Sequence, residues 1–577
     1  MDRKHLIDVA MGREVADLVL TNARIVNVFT GDVPEGEVAI ADGVIVGVGE
    51  SGAYRGETTK DMHGAVLVPG FVDSHVHIES SLVSPEQFAR LVVPHGTTSI
   101  VADPHEIANV AGIDGIRYMI DASRGIPLDV YYMLPSCVPS TSFENAGAVL
   151  DARALATLID EDAVLGLGEV MDYPSVLSGD SDILAKIALA AGRNKRVDGH
   201  APMVLGGDLA AYRLAGIETD HECSTVEEMQ QRLTLGMRVL IREGSAARNL
   251  KTLVAGVTAS NSRYCSFCTD DKQPADILTE GHIDFNIRLA IENGIDPITA
   301  IQMGTINGAV GYGLTGKGAV SPGYDADIVV VDDLSAVDVR QVYKAGVLVG
   351  EARKPLFAVG TPDTSGVTGT VTVKDFDASR LRLHLQSRSV RVIGICPGDL
   401  ITELLIREVV RDEEGYFVHH EDIDICKLAV IERHKGLGNV GLGLVEGFQL
   451  HGGALATTIA HDSHNLIVVG DNGGDIVNAA EELIRCAGGM TVSVGGEIRG
   501  TLPLPIAGLM SNEPGEKVQE KLAVLNALAA DELGVNPSID PFMTLSFLAL
   551  PVIPRLKLTD MGLFDVTNFS FIGIDVE

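Results

Sequence analysis

Basic residues are scarce in this chain: 44 Lys and Arg stand against 79 Asp and Glu, a net charge of −35 over 577 residues. That balance excludes the polyanions as partners, because nucleic acid and anionic membrane surfaces both need clustered Lys and Arg. Long apolar runs are missing too. No window approaches a membrane span, and the opening MDRKHLIDVAMGREVADL lacks the apolar core of a signal peptide. Cysteine is sparse, with seven scattered residues, an odd number that fits a reducing cytoplasm better than a disulfide framework. The sharpest absence is local. Residues 61–185 hold 12 Asp, 6 Glu and 4 Arg but no Lys, a net of −14 between Lys60 and Lys186.

What is present is a chain able to bury a large core. Hydrophobic residues make up 46 % and mean hydropathy is +0.22, which rules out disorder. The length implies several domains, or one large α/β domain with attachments. Residues 15–50 read as a β meander, with Asp42-Gly43 as a hairpin turn before Val44-Ile45-Val46. A related strand-rich pattern returns at 327–349, so 1–62 and 315–360 are expected to pack together as one discontinuous β-sandwich subdomain. Between them, over 63–314, short apolar runs (Ala65–Val68, residues 98–101, 130–133, 164–167) alternate with amphipathic segments (85–95, 150–161, 180–192, 207–215). This alternation predicts an α/β fold, a (β/α)8 TIM-like barrel. A doubly wound open sheet fits as well, but no Gly-rich dinucleotide fingerprint follows the first strand. Residues 361–374 read as a linker, and 361–577 as a separate C-terminal α+β domain covering the active site.

The strongest local motif is VPGFVDSHVH at 68–77. Residues i and i+2 of a strand face the same way, so His75 and His77 can offer two imidazoles to one ion. A chance His-x-His on a surface loop is the plain alternative. Further candidates fall where barrel strands should end: Glu169, His200, His221, Asp270 and Asp271. Barrel sites collect residues from the C-terminal ends of several strands, which this dispersed order allows. Four His with two or three carboxylates suit Zn2+, Mn2+ or Fe2+.

At this point the chain resembles the amidohydrolase superfamily and, within it, the adenine deaminase family. The superfamily order of His-x-His, bridging group, His, His and Asp is matched by His75, His77, Glu169, His200, His221 and Asp270. Longer strings carry the closer likeness: VDSHVHIESS at 72–81, VADPHEIANVAG at 101–112, LPSCVPS at 134–140, CTDDKQP at 268–274 and, outside the barrel, GALATTIAHDSHN at 453–465. The resemblance implies hydrolysis of adenine to hypoxanthine and ammonia in purine salvage, with water activated between two divalent ions. Mn2+ or Fe2+ come first and Zn2+ is a further candidate. With the cysteine usage and the charge, the expectation is a cytoplasmic enzyme acting on a small molecule, with no nucleic acid or membrane partner, and, as is common for large enzymes, a homo-oligomer, a dimer.

The missing lysines now bear on the bridge between the ions. Many binuclear amidohydrolases bridge with a carbamylated Lys from the fourth strand; none exists between 61 and 185, and Glu169 is the carboxylate in place. A mononuclear site with Glu169 beside it is the alternative. Glu169, Asp270 and Asp271 are the candidates for proton transfer, Asp271 being otherwise a cap for a helix starting near Ala275. His105 and Glu106 are expected to support the ligands or touch the base. Ser136, Cys137 and Asn145 are expected to line the pocket. His461, Asp462 and His464 are expected to reach the site from the C-terminal domain, or else to end a strand in a turn. Cys265 and Cys268 have metal-like spacing but no second pair, and read as core. Two other functions compete: a hydrolase of cyclic amides such as dihydropyrimidines and hydantoins, and a metal-free scaffold.

Overall fold

The computed structural model describes residues 2–576. Eight short strands form its centre: β1 (Phe71–Val76), β2 (Thr97–Ala102), β3 (Asp129–Leu134), β4 (Val164–Val170), β5 (Arg196–Gly199), β6 (Thr219–Asp220), β7 (Arg238–Arg242) and β8 (Cys265–Cys268). Strands β1 to β5 pair in parallel in chain order, and β6 to β8 do the same. Backbone hydrogen bonds join the two runs. Glu218 N–H donates to the Val197 carbonyl at 2.9 Å, and Asp270 N–H donates to the His75 carbonyl at 2.9 Å. The ring is therefore closed, an eight-stranded parallel barrel with helices between its strands. Every residue of β1, β2 and β8 is buried, because helices cover the outside while side chains fill the inside.

One expectation about the barrel changes. Val66–Pro69, read as an early barrel strand, belongs to another sheet, where Leu67 and Val68 lie opposite Val330 and Val329. No helix follows it before β1 begins, so it has no place in a strand–helix repeat. Its sheet has nine strands, drawn from residues 16–69 and 328–355. The sheet curls on itself in a sandwich-like way: Ala326 N–H donates to the Gly43 carbonyl and Gly346 N–H to that of Ala326, both at 2.9 Å. Gly346 has φ +78°, and a Cβ there would meet Ile40 at 2.8 Å. Leu20, Ile40, Leu67, Ile328, Val330 and Tyr343 fill the space enclosed.

The C-terminal domain is α+β, built on an eight-stranded sheet whose edges are Thr402–Glu408 and Glu497–Pro503. The amphipathic helix Gly473–Arg485 lays Ile476, Ala479, Ala480 and Leu483 on one face, against Ala429, Ile431 and Val468. The expected linker is packed rather than loose. Val367 is buried and accepts Ala507 N–H at 2.6 Å, while Thr372 N–H donates to the Arg433 carbonyl at 2.7 Å. Nor is the domain independent of the barrel, since Phe88 and Leu91 share one apolar cluster with Leu509, Met510 and Val518. Burying side chains of this size contributes roughly 1.5–3 kcal/mol each, enough to hold the domain over the C-terminal ends of the barrel strands. No helix among the described residues is long and apolar enough to cross a membrane.

Candidate metal centre and cavity

Glu169 is the hub. It is the penultimate residue of β4, is 3 % exposed, and turns its two carboxylate oxygens toward different imidazoles. Its Oε1 lies 3.2 Å from His77 Nε2 and 3.1 Å from His105 Nδ1; its Oε2 lies 2.8 Å from His200 Nδ1 and 3.2 Å from His221 Nε2. Asp270 Oδ1 closes the first side, at 3.0 Å from His77 Nε2 and 3.6 Å from His75 Nε2. His75, His77, Glu169, His200, His221 and Asp270, from strand ends around the barrel, thus meet at one point.

Local structure explains how each is aimed. His77 Nδ1–H donates to the Asp103 carbonyl at 2.9 Å, which leaves the Nε2 lone pair free for the centre. Asp73 sits beneath, accepting His75 N–H at 3.2 Å and the Thr269 hydroxyl at 2.5 Å. Asp103 accepts Glu169 N–H at 3.0 Å, and Gly168 makes this approach possible, since a Cβ there would stand 2.0 Å from Asp103 Oδ2. His200 N–H donates to the Tyr212 hydroxyl at 3.0 Å, which itself donates to the Val170 carbonyl at 2.7 Å. Burial, and the stacked ring of His221 at 4.1 Å, push His75 down to about 4, so its imidazole is neutral.

These residues fit divalent ions. His75 Nε2 and His77 Nε2 are 3.2 Å apart, and His200 Nδ1 and His221 Nε2 are 3.3 Å apart. Lone pairs converging this closely repel unless a cation lies between them, and each pair also faces a carboxylate oxygen. Nitrogen and oxygen donors of this kind suit borderline ions. Lys186, the first lysine after the gap, is on the helix Ser181–Ala191 and donates to the Ser136 carbonyl at 2.9 Å, so it does not reach the centre.

A cavity opens beside the centre. Its barrel wall includes Glu79, Ser80, Glu106, Ser245, Asp271 and Gln273, and its C-terminal wall Ile459, His461, His464, Met490, Phe542 and Phe547. Asp270 has φ +56°, which turns consecutive carboxylates apart: Asp270 toward the imidazoles, Asp271 onto the cavity wall, where it accepts the Ser80 hydroxyl. Asp271 is therefore no helix cap; the helix is Pro274–Thr279 and Gln273 takes the cap position. Burial and the Asp270 charge push Asp271 above the usual carboxylate range. His105 lies closer to the centre than expected, touching Glu169 directly. Glu106 instead faces the C-terminal domain, with Oε1 2.8 Å from His461 Nδ1 and Oε2 against His464 Nε2. Asp462 is buried behind them, and its Oδ2 has no partner among the described residues.

Three expected pocket residues lie off the cavity wall. Ser136 is spent beneath the site, its hydroxyl donating to the Glu169 carbonyl at 2.5 Å. Asn145 is drawn to the C-terminal domain, where its Nδ2–H donates to Asp560 Oδ2 at 2.7 Å. Cys137 is buried and not on the cavity wall, and Cys265 and Cys268 are core residues of β8. Sequence reasoning overlooked Arg242 and Glu222. Arg242, at the end of β7, donates to Asp270 Oδ2 at 2.5 Å and to Glu222 Oε2 at 3.1 Å, and holds both carboxyls below their usual range against the opposing effect of burial. Its position at a strand end was the available signal.

The chain is similar to known proteins over nearly its whole length. The model of the amidohydrolase family matches residues 66–349, and that of the adenine deaminase C-terminal domain matches 399–570. An adenine deaminase of Nitratidesulfovibrio vulgaris is 54 % identical over 573 residues, 99 % of this chain and 98 % of its own length. The adenine deaminase 2 of Desulfotalea psychrophila is 50 % identical over 572 residues, covering 99 % of each chain. An adenine deaminase of Clostridium acetobutylicum is 50 % identical over 567 residues, 98 % of this chain and 99 % of its own. With its barrel and its C-terminal domain both accounted for, this chain belongs to the adenine deaminase family of the amidohydrolase superfamily.

Proposed function

We propose that the protein hydrolyses adenine to hypoxanthine and ammonia. The observation that carries this is the joint arrangement of Glu169, between two pairs of histidines, and a cavity walled by polar barrel residues and the apolar groups Ile459, Met490, Phe542 and Phe547. A flat heteroaromatic ring suits such a slot, with its reacting edge toward the carboxylates.

His75, His77 and Asp270 would hold one divalent ion, His200 and His221 a second, and Glu169 both; Mn2+ or Fe2+ are the expected metals, ahead of Zn2+. Bound there, two such ions acidify water so that a nucleophile forms near neutral pH. The chain's own groups do the rest. Asp270, kept anionic by Arg242, accepts the proton that water gives up as the C6–O bond forms. That proton passes to ring N1, so charge does not build on the purine. Asp271, on the cavity wall and protonated at the start, delivers its proton to the exocyclic nitrogen as the C6–N bond breaks and ammonia leaves, and regains one from the C6 hydroxyl as the C6=O bond forms. Residues 361–577 supply the wall that excludes bulk water. Purine salvage, a cytoplasmic working place and a homodimer complete the reading.

The deciding experiment is a substrate screen of Mn2+- and Fe2+-loaded protein over adenine, adenosine, cytosine and hydantoin. Loss of adenine absorbance with stoichiometric ammonia is expected. Turnover of hydantoin with none of adenine, at any metal loading, would overturn the proposal. One metal per chain at full activity would remove the bridging role of Glu169.

A further inference from the structure

Glu106, His461 and His464 place three ligand-type atoms within 4.8 Å of one another, all buried, and could pass for another metal site. A single backbone group argues otherwise. Ala460 N–H donates to His464 Nδ1 at 3.2 Å, so Nδ1 bears a lone pair and no proton. A neutral imidazole then carries its proton on Nε2, the atom that meets Glu106 Oε2. A metal ligand needs that Nε2 bare. His464 is therefore a hydrogen-bond donor to Glu106, and the direction of the chain of contacts is set. Glu106 Oε1 in turn accepts Nδ1–H of His461 at 2.8 Å, and His461 Nε2 has no protein partner among the described residues.

We propose that His464 and Glu106 form a hydrogen-bond relay that holds the His461 imidazole with Nε2 facing the cavity, as the donor through which the C-terminal domain grips a ring nitrogen of the bound purine. The inference rests on the adenine reading and extends it to a residue outside the barrel. Three further observations support it. The His461 ring is stacked on Phe547, centroids 4.3 Å apart and planes at 16°, so it cannot swing away. The segment behind it is clamped by Arg433, fully buried with no carboxylate partner among the described residues, which donates to the carbonyls of His464, Thr458 and Ala507. Burial opposes charge on His461, but Glu106, Asp271 and Asp462 outweigh it and hold the imidazole up to about 9, so Nε2 carries a proton at neutral pH. His461 touches the substrate in this scheme; Glu106 and His464 are positioning residues.

The test uses full-length, Zn2+-loaded protein labelled with 15N-histidine, its resonances assigned with His461→Phe and His464→Phe. His464 should show a bare Nδ1 and a protonated Nε2, and His461 a protonated Nδ1. A bare Nε2 on His464, or a third tightly held Zn2+ that His464→Phe abolishes, overturns the relay. Binding of purine and of its 3-deaza and 7-deaza analogues, none of which carries a leaving group, tests the contact by calorimetry. His461→Phe keeps the ring stack and should weaken purine roughly ten- to a hundredfold. One deaza analogue should bind wild type and His461→Phe alike, because it lacks the accepting nitrogen. His461→Gln, with an N–H near the Nε2 position, should recover most of the loss. His464→Gln should stay near wild type while His464→Phe falls toward His461→Phe. Equal loss across purine and both analogues overturns the contact. Failure of wild type to bind any purine, with the histidine protons where expected, instead overturns the adenine reading beneath it.

Discussion

Glu169 and Glu106 are both buried carboxylates gripped by histidines, yet they present opposite chemistry to their partners. Around Glu169, His77 spends its Nδ1–H on the Asp103 carbonyl and turns a bare Nε2 inward. Around Glu106, a backbone N–H occupies Nδ1 of His464 and forces a proton onto Nε2. Residue type is thus a poor guide to whether such a cluster holds a cation. The orienting hydrogen bond on the far side of each ring decides it. The two clusters also differ in origin, one assembled by strand ends of a single barrel and the other by docking of a second domain.

The largest effect should come from breaking the first cluster. Glu169→Gln is expected to lose bound metal and lower kcat by more than about a thousandfold, measured with metal content in parallel. Glu106→Gln should keep its metal, and equal metal loss in the two variants would erase the distinction. Next, Arg242→Met strands Asp270 and Glu222 as buried charges without a cation. Removing one partner of a buried pair costs about 3–5 kcal/mol, readable as a fall in the denaturant midpoint of metal-free protein.

Much of the first cluster was legible because its ligands are local to strand ends. The His-x-His of β1 follows from the two-residue period of a strand, and the lysine gap at 61–185 leaves a carboxylate, Glu169, as the group expected between the imidazoles. Arg242 carried no signal beyond its place at a strand end, because its partner Asp270 lies on another strand and only the pairing of β7 with β8 sets the two side by side. Asn145 and Ser136 failed as pocket residues for the same reason. Their loop is polar enough to line a site, but Asp560 and the Glu169 carbonyl claim them.

Two smaller effects sharpen the domain side of the comparison. Lys557 is buried, donates to the carbonyls of Leu400 and Phe547 at 3.0 Å each, and so lies under the ring that stacks on His461. Burial pushes it down to about 7. Its folded value lies below the unfolded one, so the unfolded chain binds the proton more readily. The resulting penalty is full below pH 7 and fades as pH rises toward about 10. Lys557→Met should therefore stabilise relative to wild type by more at pH 6 than at pH 9.5, the difference being on the order of a few kcal/mol. A gap between the two proteins that does not change with pH would show that Lys557 is charged in the fold. Smallest of all, Asn145→Ala removes one donor to Asp560 and should cost about 1–2 kcal/mol, with faster proteolytic cleavage in residues 134–150 as the domain contact loosens. Unchanged cleavage would mean that the apolar cluster alone seats the domain.

By itself the sequence determined the alternation of strand and helix, the strand-borne imidazoles and the absence of any lysine over 61–185. Each of these rests on short-range periodicity or on simple absence, which a linear chain displays directly. Only the tertiary structure decided that Val66–Pro69 leaves the barrel for the nine-stranded sheet, that Arg242 holds Asp270, and that Glu106 faces His461 and His464 rather than the metal ligands. Those outcomes depend on groups far apart in the chain, brought together by strand pairing and by a shared apolar core. The proton on His464 depends on one backbone N–H at Ala460, a direction no residue name carries.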